Sequence, residues 1–139
     1  MRMIGLSIVA SLLVACSGIS FENENTPEGT YTLRSVNGQP PPVTLDDRAV
    51  ALTVSGGVLT LAASGEWSEV LTGTTIENGQ TVSRQLSETG RWMLRNPYVE
   101  LTRTDAVLAY AGSFSVISGP KLELQRPVRP PYAVYVYAR

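Results

Sequence analysis

The chain of 139 residues contains no histidine, one cysteine and one lysine. Without histidine, a Ser-His-Asp triad, a Cys-His dyad, a histidine-ligated zinc site and imidazole proton shuttling are all excluded. With Cys16 as the only thiol, no disulfide can form within the chain. The lone lysine, Lys121, shares a strand face with Glu123 beside a turn signal, which reads as a solvated edge. No GxxxxGK[ST], GxSxG or D-x-[DN]-x-[DN]-G spacing occurs, so nucleotide-phosphate, serine-hydrolase and EF-hand calcium chemistry lack their residues. Paired carboxylates are the remaining route to hydrolysis. Glu66 and Glu69, however, fall on opposite faces of a strand, and Asp46 and Asp47 are adjacent in a solvated segment. These residues predict a protein that is not an enzyme and needs no metal or cofactor.

Strong charge of either sign is missing too. Eleven basic residues oppose 12 acidic ones, for a net charge of −1, and no run of five or more like charges is present. That excludes a phosphate-tracking surface, and with it nucleic acid as a partner. No apolar run reaches the roughly 20 residues that a membrane-spanning helix needs. The first 15 residues nevertheless have the build of a secretory signal. Arg2 supplies the positive start, Ile4 to Val14 the apolar stretch, and Ala15 the small residue before Cys16.

Leu13-Val14-Ala15-Cys16 resembles the lipobox of bacterial lipoproteins. The resemblance implies cleavage before Cys16, a diacylglyceryl group on its thiol, acylation of the new N-terminus with chains such as palmitate, and membrane attachment without a span. Each buried methylene contributes roughly 0.8 kcal/mol, so two or more acyl chains hold where one would not. A Sec signal followed by a chance cysteine is the other reading of the same residues. Ser17 stands where the inner-membrane retention signal has aspartate. In a Gram-negative cell, the resemblance then implies the periplasmic face of the outer membrane. Residues 16–28 read as the lipidated cysteine and a polar, aperiodic linker, leaving 29–139 as one folded domain.

From Gly29 onward, short Val-, Thr-, Leu- and Tyr-rich runs alternate with turn signals, and no helical stripe interrupts them. The pattern predicts an all-β antiparallel meander of 8–10 strands that closes into a barrel to hide its edges. The expected strands are 29–36, 48–54, 58–63, 66–76, 80–86, 90–95, 98–104, 107–118, 121–126 and 132–138. Turns are expected at Asn37-Gly38, Ser55-Gly56-Gly57, Ser64-Gly65, Asn78-Gly79, Asn96-Pro97 and Gly119-Pro120. Thr44-Leu45-Asp46-Asp47 matches a helix-capping pattern and predicts a short helical turn.

Alternation assigns the inward set: Tyr31, Leu33, Trp67, Leu71, Trp92, Leu94, Val99, Leu101, Phe114, Val116, Leu122 and Leu124. Gly29-Thr30-Tyr31 and Gly90-Arg91-Trp92 both open strands with glycine, one residue, then an aromatic. In this the chain resembles the lipocalin-like, or calycin, barrels, with Tyr31 where lipocalins proper carry tryptophan. The resemblance implies a small-molecule site and a basic residue, Arg139 or Arg126, closing over the first aromatic. Glu69 shares its face with Trp67 and Leu71. Trp67, Glu69, Trp92 and Phe114 are therefore the candidate wall for a small apolar or amphipathic ligand, unless Glu69 sits in water at the mouth and the tryptophans only fill the core. The alternative function is an envelope structural or protein-interaction module that uses an outer surface such as Tyr135 and Tyr137 of the last strand.

Overall fold

The computed structural model describes residues 26–47, 50–95, 98–104, 109–116, 120–126 and 133–139; for 46, 47, 50, 109–116, 120 and 126 it describes the backbone alone. The described residues form nine strands: β1 (Gly29–Val36), β2 (Val43–Asp47), β3 (Val50–Leu61), β4 (Glu66–Glu77), β5 (Gln80–Arg95), β6 (Tyr98–Arg103), β7 (Ala109–Val116), β8 (Pro120–Arg126) and β9 (Ala133–Ala138). From β2 to β9 each strand pairs antiparallel with its sequence neighbour. β1 then closes the ring. It sets Tyr31 against Leu59 of β3 on one side and Leu33 against Tyr137 of β9 on the other. All strands except β2 thus make a closed up-and-down barrel, as the meander pattern predicts, and closure satisfies the backbone groups that an open sheet leaves bare.

The turns explain the meander. At the β4–β5 connection Asn78 and Gly79 have φ of 50° and 76°, and at the end of β1 Asn37 and Gly38 have 51° and 79°. Two successive positive φ values match the right-handed twist of the flanking strands, and Asn-Gly is the pair that adopts them at least cost.

One expected turn and one expected break between strands are absent, and the strands there are continuous. β3 runs through Ser55-Gly56-Gly57, where the register against β4 shifts by one residue between Val54 and Gly56. This bulge reverses the inward parity, so Val54 and Leu59 are both buried although five residues apart. β5 likewise runs unbroken across residues 87–89. The third correction is β2. Thr44 to Asp47 form a strand laid on β3 in place of a helical turn, because five consecutive cross-strand pairs outweigh a local capping pattern.

The ring uses only part of its longest strands. β1 meets β3 over Val58–Leu61, and β6 meets β5 over Gly90–Arg95. The remaining parts of β3, β4 and β5, edged by β2, extend past the ring as a four-stranded wing.

Inside the ring, Tyr31, Leu33, Trp67, Leu71, Val99, Leu101, Leu122 and Leu124 are buried, as alternation predicts. Leu59, Leu61, Tyr135 and Tyr137 join them. A second bulge, between Leu33 and Ser35, lets Val36 face inward as well. Trp92 is half-buried, and Leu94 is 50% exposed because β4 stops pairing with β5 at Arg91 and leaves Leu94 without a strand neighbour on that side among the described residues. The side chains of Phe114 and Val116 lie outside the described residues. Burying a leucine or tyrosine of this set contributes about 1.5–3 kcal/mol each.

The inside and outside of the barrel can be told apart by urea unfolding. Leu122→Ala, made at a fully buried site, is expected to cost about 2–5 kcal/mol, and Leu94→Ala about 0.5 kcal/mol or less. Equal losses would contradict the assignment.

Candidate functional site

The end of the barrel at which β1 begins is sealed by side chains. Tyr31 is fully buried, and its hydroxyl donates to the Pro27 carbonyl at 2.5 Å. The Arg139 guanidinium lies over the Tyr31 ring, 5.4 Å from its centroid. From there it donates to the carbonyls of Glu28 at 2.8 Å and Thr26 at 3.0 Å. Cation–π contact and three hydrogen bonds therefore tie residues 26–28, read from sequence as the end of the linker, to the base. Of the two basic residues expected to cover the first aromatic, Arg139 is the one found there. The side chain of Arg126 lies outside the described residues. Burial raises the Tyr31 phenol above its ordinary value, and the nearby Arg139 charge offsets part of that rise.

Trp67 forms the next part of the base. It is buried, and its indole N–H donates to the Thr102 carbonyl at 3.1 Å. The indole crosses β5 over Gly90, its cross-strand partner. A Cβ at residue 90 would stand 2.6 Å from the Trp67 Nε1 and 1.8 Å from the Thr102 oxygen, so only glycine permits this approach. Trp92 sits lower and partly exposed, donating from Nε1 to the Ala62 carbonyl at 2.8 Å.

Above the base, one polar group stands among apolar ones. Glu69 of β4 is 2% exposed and accepts a hydrogen bond from the hydroxyl of Tyr137, which reaches across from β9. Leu59 lies opposite Glu69 on β3. On the other side Glu69 faces Glu88 of β5, whose carboxylate is 3.4 Å from Arg103 of β6. Antiparallel partners share a face, so Glu69 and Glu88 both point inward. The cluster grades from dry to wet: Glu69 is sealed, while the Glu88 and Arg103 side chains are 20% and 30% exposed. A carboxyl group held in so dry a place is tolerated when hydrogen-bonded and costly otherwise. Chemically the cluster offers carboxylate acceptors, a guanidinium and a phenol within leucine and tryptophan walls. That suits recognition of an amphipathic molecule by its polar head.

The structure therefore brings Trp67 and Glu69 together on the inner face of β4 and places Glu69 away from water, not at a wet mouth. Trp92 belongs to the base. Phe114 lies opposite Leu122 in β7 by its backbone alone, and Cys16 lies outside the described residues. The expectation that Tyr135 and Tyr137 form an outer surface is overturned. Both are buried, 3% and 0% exposed, because their partners Leu124 and Leu122 face inward. Sequence reasoning missed Tyr137, Glu88 and Arg103 as site residues. A signal for Glu88 was available: it lies two residues from Gly90 on the inward parity of a continuous β5. A separate cleft of about 370 Å³ is lined by Thr60, Ala62, Glu66, Trp67, Ser68, Thr89, Gly90 and Thr104. Glu66, Ser68 and Thr89 are exposed and alternate with the inward residues, so this cleft opens on the outer face of the sheet. Among the described residues no group of three or more acids or thiols is placed to hold a metal ion.

No protein-family model matches the chain, and no curated protein matches it either.

The raised Tyr31 phenol sets a pH dependence. The folded state favours the neutral form, so its contribution is complete below the ordinary tyrosine value of about 10 and is lost as pH rises through the higher folded value. The stability gap between the native chain and Tyr31→Phe, measured by urea midpoint, is expected to hold near neutral pH and to close above about pH 10. A gap that widens with alkali would contradict the burial of this hydroxyl.

Proposed function

We propose that this chain is a lipid-anchored barrel protein of the cell envelope that binds a small amphipathic molecule, its polar head at the Glu69–Tyr137 and Glu88–Arg103 cluster. The reading favours binding over catalysis. The observation that carries it is the sealed Glu69 carboxyl group inside an apolar ring, continuous with a wetter charged pair. A structural core has no need of a carboxylate at that depth, since apolar side chains of similar size serve stability at least as well. A few convergent polar groups among apolar walls is the lining expected of small-molecule sites.

The anchor rests on Leu13-Val14-Ala15-Cys16 and the charged and apolar stretches ahead of it. By the Gram-negative sorting rule, Ser17 favours the periplasmic face of the outer membrane. Arg139 over Tyr31 adds support to the lipocalin-like reading, because a basic residue closing over the first aromatic is what the resemblance implies. Function follows from the site here, since small barrels of one fold carry many functions.

Intact-mass measurement of the full-length protein, isolated under native conditions, tests both parts at once. Two additions are expected: a covalent acyl mass that survives denaturation and is absent from Cys16→Ser, and a noncovalent small-molecule mass that denaturation releases and Glu69→Leu loses. No covalent addition would overturn the anchor. No releasable mass, with the barrel folded, would overturn the ligand site.

A further inference from the structure

β5 carries an edge that the barrel does not use. From Gly90 to Arg95 its second side is taken by β6, but among the described residues no strand pairs there over residues 80–88. The direction of its backbone groups is set by two bonds. Thr89 accepts from the Thr104 N–H on the β6 side, and the Trp92 N–H donates to Gly65 toward β4. Odd residues thus turn N–H and C=O to the free edge, and even residues turn theirs to β4. Thr81, Ser83, Gln85 and Ser87 present a ladder that no described strand uses, and their side chains are exposed.

Natural edges are blunted by proline, bulges, charge or short length. β2, at the other side of the wing, has these: five residues, a run of prolines at 40–42 just before it, and acids at 46 and 47. The segment Gln80–Thr89 of β5 has no proline, and its pairing with β4 is unbroken over ten consecutive residue pairs. A large apolar side chain, Leu86, is 46% exposed on it.

We infer that this edge pairs with the same edge of a second copy of the chain, antiparallel about a two-fold axis at Leu86. Self-complementarity selects that occupant and that register. About Leu86, the odd pairs Gln85 with Ser87 exchange backbone hydrogen bonds in both directions, and Leu86 meets its own copy in a close, non-hydrogen-bonded pair. Arg84 then lies opposite Glu88 of the second copy, twice by symmetry. Since Arg84 already bonds Glu77 and Glu88 already pairs with Arg103, each crossing strings charges of alternating sign. Centring the axis on Arg84 would instead oppose two arginines, which is unfavourable. The two wings become one continuous sheet, and the interface is isologous. Glu88 is shared with the polar cluster inside the ring, so the contact borders that cluster, while Glu69 and Tyr137 take no part in it.

Three variants of the full chain in a Cys16→Ser background test the contact, that background being free of thiols. Leu86→Cys is expected to form a disulfide-linked dimer on mild oxidation, since a close non-hydrogen-bonded pair brings the two Cβ atoms into bonding range. Gln85→Cys is expected to stay unlinked. Ser87→Pro added to Leu86→Cys is expected to abolish linkage and to give a monomer by light scattering. Its lost N–H faces the free edge, so the β4–β5 ladder and the circular dichroism spectrum remain. Failure of Leu86→Cys to link together with a monomeric native chain would overturn the inference. Linkage through Gln85→Cys, or capture of an unlike protein through Leu86→Cys, would overturn the register or the second copy as occupant.

Discussion

Everything inside the barrel is organised around one hydrogen bond, from the Tyr137 hydroxyl to the Glu69 carboxyl group. The two residues stand on β9 and β4, and no local geometry joins them. They meet because β1 is paired on both sides at once, with Leu33 beside Tyr137 and Tyr31 beside Leu59, the latter in turn beside Glu69. A slip of one residue in either pairing would turn a full strand face outward and bury the wrong side chains. Close approach matters as well. A Cβ at residue 57 would stand 2.6 Å from Leu71 and 3.4 Å from the Tyr137 hydroxyl, so Gly57 leaves the space through which that hydroxyl reaches Glu69.

Seen this way, the barrel has a dry base, a polar middle and an extended wing. Tyr31, Arg139 and Trp67 close the base with hydrogen bonds to backbone carbonyls, which are strong anchors because the carbonyls belong to the elements being joined. The polar middle grades from Glu69 to Arg103. The wing follows from strand length alone: β3, β4 and β5 are 12, 12 and 16 residues long, whereas β6 has 6. A ring built on the shorter strands has to leave the longer ones projecting.

How much of this was legible depended on whether a local signal coincided with the tertiary one. β1, β4, β8 and β9 could be read to within a residue or two because alternation and turn residues agreed. β3 could not. Gly56-Gly57 looks like a turn, yet neither residue has a positive φ; here glycine serves close packing on Leu71 and Thr72 and a bulge that breaks alternation. β2 carries a helix-start pattern that cross-strand pairing overrides. Among the site residues, Glu69 was legible by parity with Trp67 and Leu71. Tyr137 was not, because β9 is apolar on both faces and alternation alone gives no inside. Only its register against Leu122 and Leu33 decides the matter, and register between distant strands leaves no local trace in the sequence.

Glu69 and Tyr137 hold one another in the barrel interior, and a double-mutant cycle measures that coupling most directly. Tyr137→Phe, Glu69→Leu and the double variant would be unfolded in urea. Removing the hydroxyl alone leaves a buried carboxyl group short of a donor, whereas replacing both members by apolar groups relieves that cost. The double variant is therefore expected to be more stable than the sum of the single losses by about 1–3 kcal/mol. Losses that add to within about 0.5 kcal/mol would contradict it.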